Sequence, residues 1–422
     1  MAEKFVIQGG KCLTGEIEAR GAKNAAFPIL VASLLTKKEC IIENLPLIED
    51  VFRMVEIIKG MGADISWVEE RTLKIRAKDI DPSKVREDLV CIFRGSVLLI
   101  GPLLGRFGKV KLPKPGGCII GARPITTHLD AFSQFGVKIK PKNKNFEFEL
   151  RQKPKDRTVV LNEFSVTGTE NIMIFASSIP AKTHIKIADS DYQVQELAKF
   201  LRKMGVRIKG AGTHNISIEG SKKLKGARHY LMADPIEAGT FILMAAATKG
   251  KVLVKNVEVK YLEFFFKKLK DFGIPFEILK DNSVKVFPRK SLKMDKIQSL
   301  PYPGLPTDLQ SAFGVLATQA PGSTLIHDPL YEGRLKYLEE LNKMGAEIYF
   351  ADPHRAIVNG PTQLYGRELN SYDLRGGAAL IIAGLIAKGQ TTINNIYQVD
   401  RGYERIEERL KKLGADIKRV KA

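Results

Sequence analysis

Apolar and polar residues along the chain follow one short pattern that returns six times. Each copy places a glycine directly after an apolar residue and an isoleucine or phenylalanine three positions after the glycine. Apolar residues at helical spacing precede each glycine, and alternating residues follow it. The pattern therefore predicts a surface helix, a left-handed glycine cap and a strand. The six glycines, spaced by 74, 69, 68, 72 and 69 residues, are Gly62, Gly136, Gly205, Gly273, Gly345 and Gly414.

A second type of helix is predicted once in each of the six units. These segments are rich in Ala, Gly, Ile and Leu and almost free of charge, and a helix that is apolar on all sides is buried. Each unit is thus expected to contain a buried helix, an amphipathic surface helix and short strands. The six segments are 24–35, 95–104, 171–178, 238–247, 309–319 and 376–387.

Six units of about 70 residues account for the full 422 residues and indicate two α/β domains of three units each. The chain is expected to cross between the domains near residue 21 and within 226–234. One domain would span 22–232, and the other would comprise 1–21 together with 233–422. The N-terminal strand region, 4–20, is expected to pair with the last unit and to close the second domain.

The starts of several buried helices carry cations, namely Lys23, Arg94 and Arg375. The free backbone N–H groups and the positive end of the helix dipole disfavour a cation at this end. An anion bound between the two would remove the conflict. The pattern therefore predicts anion-binding sites at these helix starts.

The chain is strongly basic, with 67 Lys and Arg residues against 47 Asp and Glu residues, a formal net charge of +20. This charge fits an anionic substrate or a polyanionic partner. The basic residues are spread along the chain without a long run, which favours general surface charge over nucleic-acid binding. Apolar runs reach about a dozen residues, too short to cross a bilayer. The start has no signal-peptide pattern, so a cytoplasmic location is predicted.

One of the four cysteines has an unusual setting. The stretch 89–129 contains no Asp or Glu, and within it Lys114-Pro-Gly-Gly-Cys118-Ile-Ile-Gly-Ala-Arg123 surrounds the thiol with glycines and cations. Nearby cations stabilise a thiolate, so Cys118 is a candidate reactive residue. The cysteines and histidines show neither a disulfide framework nor metal-ligand spacing, and no metal is expected.

Several motifs together resemble the enolpyruvyl transferase family, and in particular its UDP-N-acetylglucosamine 1-carboxyvinyltransferases. The resemblance extends over essentially the whole chain and implies two inside-out α/β barrel domains, each of three repeated units. The motifs are Gly-Ala-Lys23-Asn24-Ala-Ala, Pro-Gly-Gly-Cys118-x-Ile-Gly-Ala-Arg123-Pro, Pro-Thr307-Asp308-Leu-Gln, Tyr-Glu-Gly-Arg334, Asp-Leu-Arg375 and Asp-Arg401-Gly-Tyr-Glu-Arg-Ile-Glu.

The resemblance implies a reaction. The enolpyruvyl group of phosphoenolpyruvate would be transferred to the 3′-hydroxyl of UDP-N-acetylglucosamine with release of phosphate, the first committed step of peptidoglycan synthesis. Addition and elimination would pass through a tetrahedral intermediate, without a metal or an organic cofactor. The partners would be these two small-molecule substrates, with no nucleic acid and no membrane span.

The resemblance also assigns roles to matching residues. Cys118 would be the proton donor, able to form a covalent adduct and to be alkylated by fosfomycin, and Asp308 would be the base; Lys23 and Arg401 complete the catalytic set. Arg334 would support a closed cleft. Phosphoenolpyruvate would be bound by Lys23, Asn24, Arg123, Arg375 and Arg401. The nucleotide sugar would be bound by Asn24, Arg94, Arg123, Pro124, Ile125, Thr126, Thr127, Ser165, Val166, Thr307, Asp308 and Leu330.

The chain departs from the family pattern at three places. Glu163 stands where relatives often carry a lysine near the diphosphate, and an acid there should repel a diphosphate. The segment Ala188-Asp189-Ser190-Asp191-Tyr192 replaces the usual Ala-Arg-Glu-Pro-Glu, and Asp234-Pro235-Ile236-Glu237 replaces Asp-Arg-Ile-Glu. These departures are expected to affect nucleotide binding or closure.

Three other interpretations remain open at this point. The sister enzyme that acts on shikimate 3-phosphate would share the fold, although its Lys-Ser phosphate turn is missing here. A basic nucleic-acid-binding protein would show binding that weakens steeply with salt and no enolpyruvyl transfer. An inactive paralogue is disfavoured because Lys23, Asn24, Cys118, Asp308 and Arg401 are all intact.

Overall fold

The structure, a computed structural model, describes residues 3–116, 120–121, 123–152 and 155–421. The described residues form two compact units. The first unit comprises residues 21–116, 123–152 and 155–232. The second unit comprises residues 3–20 and 233–421, and residues 120 and 121 group with it by their contacts.

Each unit contains three buried helices and several shorter or amphipathic ones. The α-helices of the described residues are α1 (Lys23–Ala32), α2 (Glu49–Gly60), α3 (Glu87–Val90), α4 (Ile100–Phe107), α5 (Thr126–Ser133), α6 (Val166–Ser177), α7 (Tyr192–Lys203), α8 (Pro235–Ala247), α9 (Glu263–Asp271), α10 (Thr307–Ala317), α11 (Tyr337–Lys343), α12 (Leu374–Ile386), α13 (Tyr397–Asp400) and α14 (Ile406–Lys412). Short 3-10 helices are Ser33–Leu35, Pro82–Lys84, Arg94–Leu99, Val259–Tyr261 and Arg334–Lys336.

The strands are short and belong to six small sheets. They are β1 (Glu3–Gln8), β2 (Thr14–Glu18), β3 (Glu39–Glu43), β4 (Asp64–Glu69), β5 (Thr72–Arg76), β6 (Lys109–Pro113), β7 (Val137–Lys142), β8 (Asn145–Leu150), β9 (Arg157–Val160), β10 (Lys182–Lys186), β11 (Arg207–Lys209), β12 (Asn215–Glu219), β13 (Arg228–Tyr230), β14 (Lys251–Lys255), β15 (Phe276–Ile278), β16 (Val284–Val286), β17 (Lys296–Gln298), β18 (Gly322–His327), β19 (Glu347–Asp352), β20 (Arg355–Gly360), β21 (Glu368–Asn370), β22 (Gln390–Asn394) and β23 (Asp416–Lys421).

Three sheets lie in each unit. In the first unit their strand orders are β13-β3-β5-β4, β6-β8-β7 and β11-β12-β10-β9. In the second unit they are β15-β16-β14-β2, β17-β18-β20-β19 and β21-β22-β1-β23. Of the N-terminal region 4–20, strand β1 pairs antiparallel with β22 and β23 of the last repeat, as the sequence predicted. The prediction is wrong for β2, which pairs in parallel with β14 of the fourth repeat.

The uncharged helices lie in the interior, as their composition predicts. In the second unit α8, α10 and α12 contact one another, and in the first unit α6 contacts both α1 and α4. Nearly every residue of α8 and α12 is buried. Because the helices are apolar on all sides and the sheets carry one polar face, the helices occupy the centre and the sheets surround them.

All six repeat glycines adopt the left-handed conformation that the pattern predicts, with φ between 75° and 99°. Helix boundaries are less well predicted. The third buried helix begins at Val166 and not at residue 171, because the Ser165 side chain caps it by accepting a hydrogen bond from Gly168 N. The second begins as the 3-10 helix Arg94–Leu99 and continues as α4 to Phe107, where Gly108 ends it in the left-handed conformation.

Candidate active site

The start of α1 places Lys23 and Asn24 at one end of the first unit's core. Lys23 is buried, and its Nζ lies 2.9 Å from Oδ2 of Asp50, a buried residue at the start of α2. A carboxylate of the protein thus balances the cation that the sequence placed at this helix start. Asn24 Nδ2 lies 3.4 Å from the hydroxyl of Tyr192, the first residue of α7.

Arg94 holds the segment that precedes α5. Its Nη1 donates to the carbonyl oxygen of Arg123 at 2.6 Å, and its Nη2 donates to that of Pro124 at 2.8 Å. Two fixed-geometry donors on one planar group define the course of this backbone. The structure therefore brings together Arg94, Arg123 and Pro124, and next to them Ile125 and Thr126, as the start of α5.

Glu163, the acid found where relatives often carry a lysine, is bound within the first unit. Its Oε1 accepts a hydrogen bond from Thr127 Oγ1 at 2.7 Å. Ser165 and Val166, expected in the nucleotide-sugar site, are the capping residue and the first residue of α6. The departure at 163 is thus coupled directly to Thr127, another residue of the expected site.

A buried histidine on α5 was not recognised from the sequence. His128 Nδ1 lies 3.1 Å from Asn171 Nδ2, and His128 Nε2 lies 3.1 Å from Thr167 Oγ1. The Asn171 amide also donates to Val97 O and accepts from Gly101 N, which fixes its orientation. His128 Nδ1 must therefore accept, and Nε2 carries the proton. A single histidine with no other histidine or cysteine near it in the chain gives no sequence signal for such a network.

The altered segment 188–192 lies beside a buried acid. Asp189 is buried, its backbone N–H donates to Thr169 Oγ1, and burial raises the pKa of its carboxyl. Burial also raises the pKa of Glu170 well above its usual range, and the nearby charges of Asp189 and Asp191 add to the effect. The Arg of the family pattern is replaced here by a further acid, and this acid lies beside a carboxyl group whose pKa is also raised.

In the second unit Asp308, near the start of α10, lies between two buried arginines. Arg334 Nη2 is 3.0 Å from Asp308 Oδ1, and Arg375 Nε is 3.0 Å from Oδ2. Arg334 also lies 3.5 Å from Asp373 Oδ1. Burial alone would lower the pKa of Arg334, but the carboxylates of Asp308 and Asp373 raise it. The three sequence-predicted residues therefore form one ion-paired cluster.

Asp328 organises the rest of this cluster and was missed at the sequence level. Its carboxylate accepts from Thr307 Oγ1 at 2.5 Å and from the backbone N–H of Leu330 at 3.1 Å. Thr307 Oγ1 in turn accepts from Arg334 Nε at 3.1 Å. The one available signal was the position of this acid directly after the strand β18, where side chains at strand ends often serve sites.

Arg401 follows α13 in the second unit. It is buried, and its Nη1 donates to Gln398 Oε1 at 3.0 Å. Cys118, the expected proton donor, lies outside the described residues. Among the residues that are described, no group of three His, Cys, Asp or Glu side chains could hold a metal ion. None of the described helices has the length and hydrophobicity needed to cross a membrane.

Comparison with known proteins identifies the family. A family model described as EPSP synthase (3-phosphoshikimate 1-carboxyvinyltransferase) matches residues 7–410. The UDP-N-acetylglucosamine 1-carboxyvinyltransferase of Treponema denticola is 40% identical over 425 residues, which cover 98% of each protein. The UDP-N-acetylglucosamine 1-carboxyvinyltransferase 1 of Caldanaerobacter subterraneus subsp. tengcongensis is 42% identical over 419 residues, covering 99% of this chain and 100% of that protein.

Solved structures show the same fold. The enolpyruvyl transferase NikO from Streptomyces tendae superposes with a TM-score of 0.90 at 23% identity, covering 100% of this chain and 99% of that one. EPSP synthase from Acinetobacter baumannii gives a TM-score of 0.75 at 17% identity, with both chains fully covered. These likenesses confirm the predicted fold of inside-out α/β barrel domains, and the motif resemblance is confirmed by the relatives. The chain belongs to the EPSP synthase family and, within it, to the UDP-N-acetylglucosamine 1-carboxyvinyltransferases.

Proposed function

We propose that the chain transfers the enolpyruvyl group of phosphoenolpyruvate to the 3′-hydroxyl of UDP-N-acetylglucosamine and releases phosphate. The observation that carries this proposal is the Asp308–Arg334–Arg375 cluster. Relatives that match nearly the full chain at about 40% identity are named UDP-N-acetylglucosamine 1-carboxyvinyltransferase. The reaction is the first committed step of peptidoglycan synthesis.

In the addition step, the 3′-oxygen of the sugar bonds to C2 of phosphoenolpyruvate while its proton passes to Asp308. Cys118 gives a proton to C3, which forms the tetrahedral intermediate. Elimination then returns a proton from C3 to the Cys118 thiolate and breaks the bond between C2 and the phosphate oxygen, and the phosphate leaves with the proton that Asp308 held. Two guanidiniums, those of Arg334 and Arg375, contact the two oxygens of Asp308 and fix the position of the carboxylate that would take the proton.

Cations bind the two anionic groups of phosphoenolpyruvate in this proposal. Lys23, Arg123, Arg375 and Arg401 take these roles, with Asn24 beside Lys23. Two-pronged guanidinium contacts suit both carboxylate and phosphate. In the structure Asp50, 2.9 Å away, compensates the charge of Lys23. When the substrate binds, its anionic group would either replace Asp50 as the partner of Lys23 or bind Lys23 together with Asp50.

The nucleotide sugar would contact the segment that Arg94 fixes and the start of α6. This set contains Arg94, Arg123, Pro124, Ile125, Thr126, Thr127, Ser165 and Val166 of the first unit. From the second unit Thr307, Asp308 and Leu330 complete the proposed set, and Arg334 supports the closed form. The Thr127–Glu163 hydrogen bond holds the unusual acid against a protein hydroxyl of this proposed set.

The runner-up substrate is shikimate 3-phosphate, because the matching family model bears the name of the enzyme that uses it. The relatives at about 40% identity favour the nucleotide sugar, since the structural likeness to EPSP synthase at 17% identity shows only the fold. A phosphate-release assay separates the two. Release should require phosphoenolpyruvate and UDP-N-acetylglucosamine together, and release with shikimate 3-phosphate in place of the sugar nucleotide would overturn the proposal.

We further propose a cytoplasmic location. Three described cysteines, Cys12, Cys40 and Cys91, form no disulfide. Free thiols are typical of a reducing compartment, and both proposed substrates are small charged molecules that membranes exclude. Cell fractionation with an antibody against the chain tests this location, and recovery in the periplasmic or extracellular fraction would contradict it.

A further inference from the structure

Arg419, on the last strand β23, binds three carboxylates at once. Its Nε donates to Glu407 at 2.7 Å and its Nη2 to Glu407 at 3.2 Å. Its Nη1 and Nη2 donate to the two oxygens of Asp400 at 2.9 and 2.7 Å, and Nη1 also donates to Glu3 at 2.9 Å. Because a guanidinium has five N–H groups, these five bonds use the full donor set.

Two of these carboxylates flank a short turn. Asp400 ends α13 and directly precedes Arg401, and Glu407 is the second residue of α14. Arg419 therefore ties together the two ends of the turn 401–406. The Arg419 guanidinium also packs against the core, because it lies 5.0 Å from the ring centroid of the buried Phe5.

The turn contains a backbone conformation that needs support. Arg405 has φ +39°, in the left-handed region that disfavours a residue with a side chain. Its own side chain is largely exposed and its ion pair with Glu408 is on the surface. Such strain persists where the surroundings over-determine the backbone. Anchoring at Asp400 and Glu407, on either side of Arg405, provides that support.

The turn also carries groups of the proposed site. Arg401 is buried within it, with Nη1 bound to Gln398. Tyr403 is buried too, its hydroxyl lies 2.9 Å from Thr240 Oγ1, and its ring lies 5.4 Å from the Arg375 guanidinium. A shift of the turn would therefore move Arg401 directly and Arg375 through Tyr403.

We propose that Arg419 is a positioning residue for phosphoenolpyruvate binding, acting through the turn that holds Arg401. The inference rests on the proposed function, because it takes Arg401 to be a ligand of that substrate. Without Arg419, the carboxylates of Asp400, Glu407 and Glu3 would face one another with no shared cation. Their repulsion would open the ends of the turn and displace Arg401.

The test compares Arg419→Met with Arg419→Lys in the full-length enzyme. Lysine restores one positive charge but has three donors on a flexible stem, so it cannot reproduce the five-bond fork. For Arg419→Met we expect kcat/KM for phosphoenolpyruvate to fall by roughly 10- to 100-fold, the scale of an ångström-sized misplacement. Arg419→Lys should show an intermediate loss, and the dissociation constant for UDP-N-acetylglucosamine should stay within about twofold.

Arg289 provides a matched control in the same unit. It is a buried arginine whose Nε donates to the carbonyl oxygen of Ala246 in α8, outside the turn 401–406. Arg289→Met should lower the thermal midpoint of unfolding while leaving the KM for phosphoenolpyruvate unchanged. Arg419 variants that lose stability without any change in that KM would show a purely structural role and overturn the inference.

A double-mutant cycle with Arg401→Lys separates the inference from the proposed function. If Arg419 acts through Arg401, the combined variant should lose much less than the product of the two single losses. Fully multiplicative losses would overturn the inference and leave the function standing. An Arg401→Lys variant with normal kcat/KM would contradict the proposed role of Arg401 itself. If Arg419→Met does not fold, the Arg419→Lys variant carries the same comparison.

Discussion

The carboxylate of Asp308 shows how one residue's setting bears on its proposed chemistry. Two buried guanidiniums, each 3.0 Å from one of its oxygens, hold this carboxylate in a fixed position. We expect Asp308→Asn to reduce turnover by roughly 10²- to 10⁴-fold, the usual contribution of an acid–base group. Nucleotide-sugar binding, measured by calorimetry, should remain. Near-normal turnover in this variant would exclude Asp308 as the base.

Cys118 is proposed to act as a general acid and not as an obligatory nucleophile. A carboxyl group with a suitable environment can replace a thiol as proton donor, whereas a serine hydroxyl is far too weak an acid. Cys118→Asp should therefore keep substantial activity, and Cys118→Ser should lose nearly all of it. Fosfomycin should inactivate the parent and spare the Asp variant. A folded Cys118→Asp variant as inactive as Cys118→Ser would favour an essential thioether.

His128 is held neutral by its surroundings. Burial, together with the nearby Arg94 charge, lowers the pKa of His128 from 6.5 to about 3. Between these values the unfolded chain binds a proton that the folded chain does not, so stability falls as the pH falls. This residue should contribute a loss of about 2 kcal/mol between pH 7.5 and pH 5. Urea unfolding should show a correspondingly smaller pH-dependent loss in His128→Gln, and equal losses would contradict the assignment.

Helix ends in this chain depend on left-handed residues, and two of them form a matched pair. Gly205 follows α7 with φ +99°, and a Cβ there would meet no atom within 4 Å. Gly205→Ala should therefore cost roughly 1–2 kcal/mol through backbone strain alone. Lys249, exposed after α8 with φ +53°, is the reverse case.

Lys249→Gly should cause no loss, or a gain of up to about 1 kcal/mol, because relief of strain competes with a more flexible unfolded chain. Chemical denaturation of both variants measures the difference. Unchanged stability in Gly205→Ala would show that the left-handed cap is not required at this helix end.

At the scale of the whole molecule, a ligand that binds only the native state must stabilise it. At a free concentration of UDP-N-acetylglucosamine a hundredfold above its dissociation constant, the gain should be about 2.7 kcal/mol. The midpoint temperature of thermal unfolding should rise when this ligand is added and should not change with shikimate 3-phosphate. The reverse preference would favour the sister reaction, and the dependence on concentration provides an internal control.

Local patterns in the amino-acid sequence are enough to establish the repeat, the buried helices and the family. The buried and surface helices follow from apolar residues that recur about every 3.6 residues, and the repeat from glycines at positions where φ is positive. The family follows from motif residues that are adjacent in the chain. Even there, the start of the third buried helix at Val166 depended on a Ser165 cap that periodicity does not reveal.

Which charged side chains pair with one another depends on how the folded chain packs. Lys23 and Asp50, the Asp308 cluster with Asp328, and Arg419 with Glu3 join residues that are distant in the chain, the last pair 416 positions apart. Such pairs produce no periodicity or motif in the sequence. Each charged residue could pair with any of many oppositely charged residues, and the polar pattern would be the same. Packing of the buried helices and pairing of β1 with β23 select one partner, since a buried charge is stable only when it is compensated.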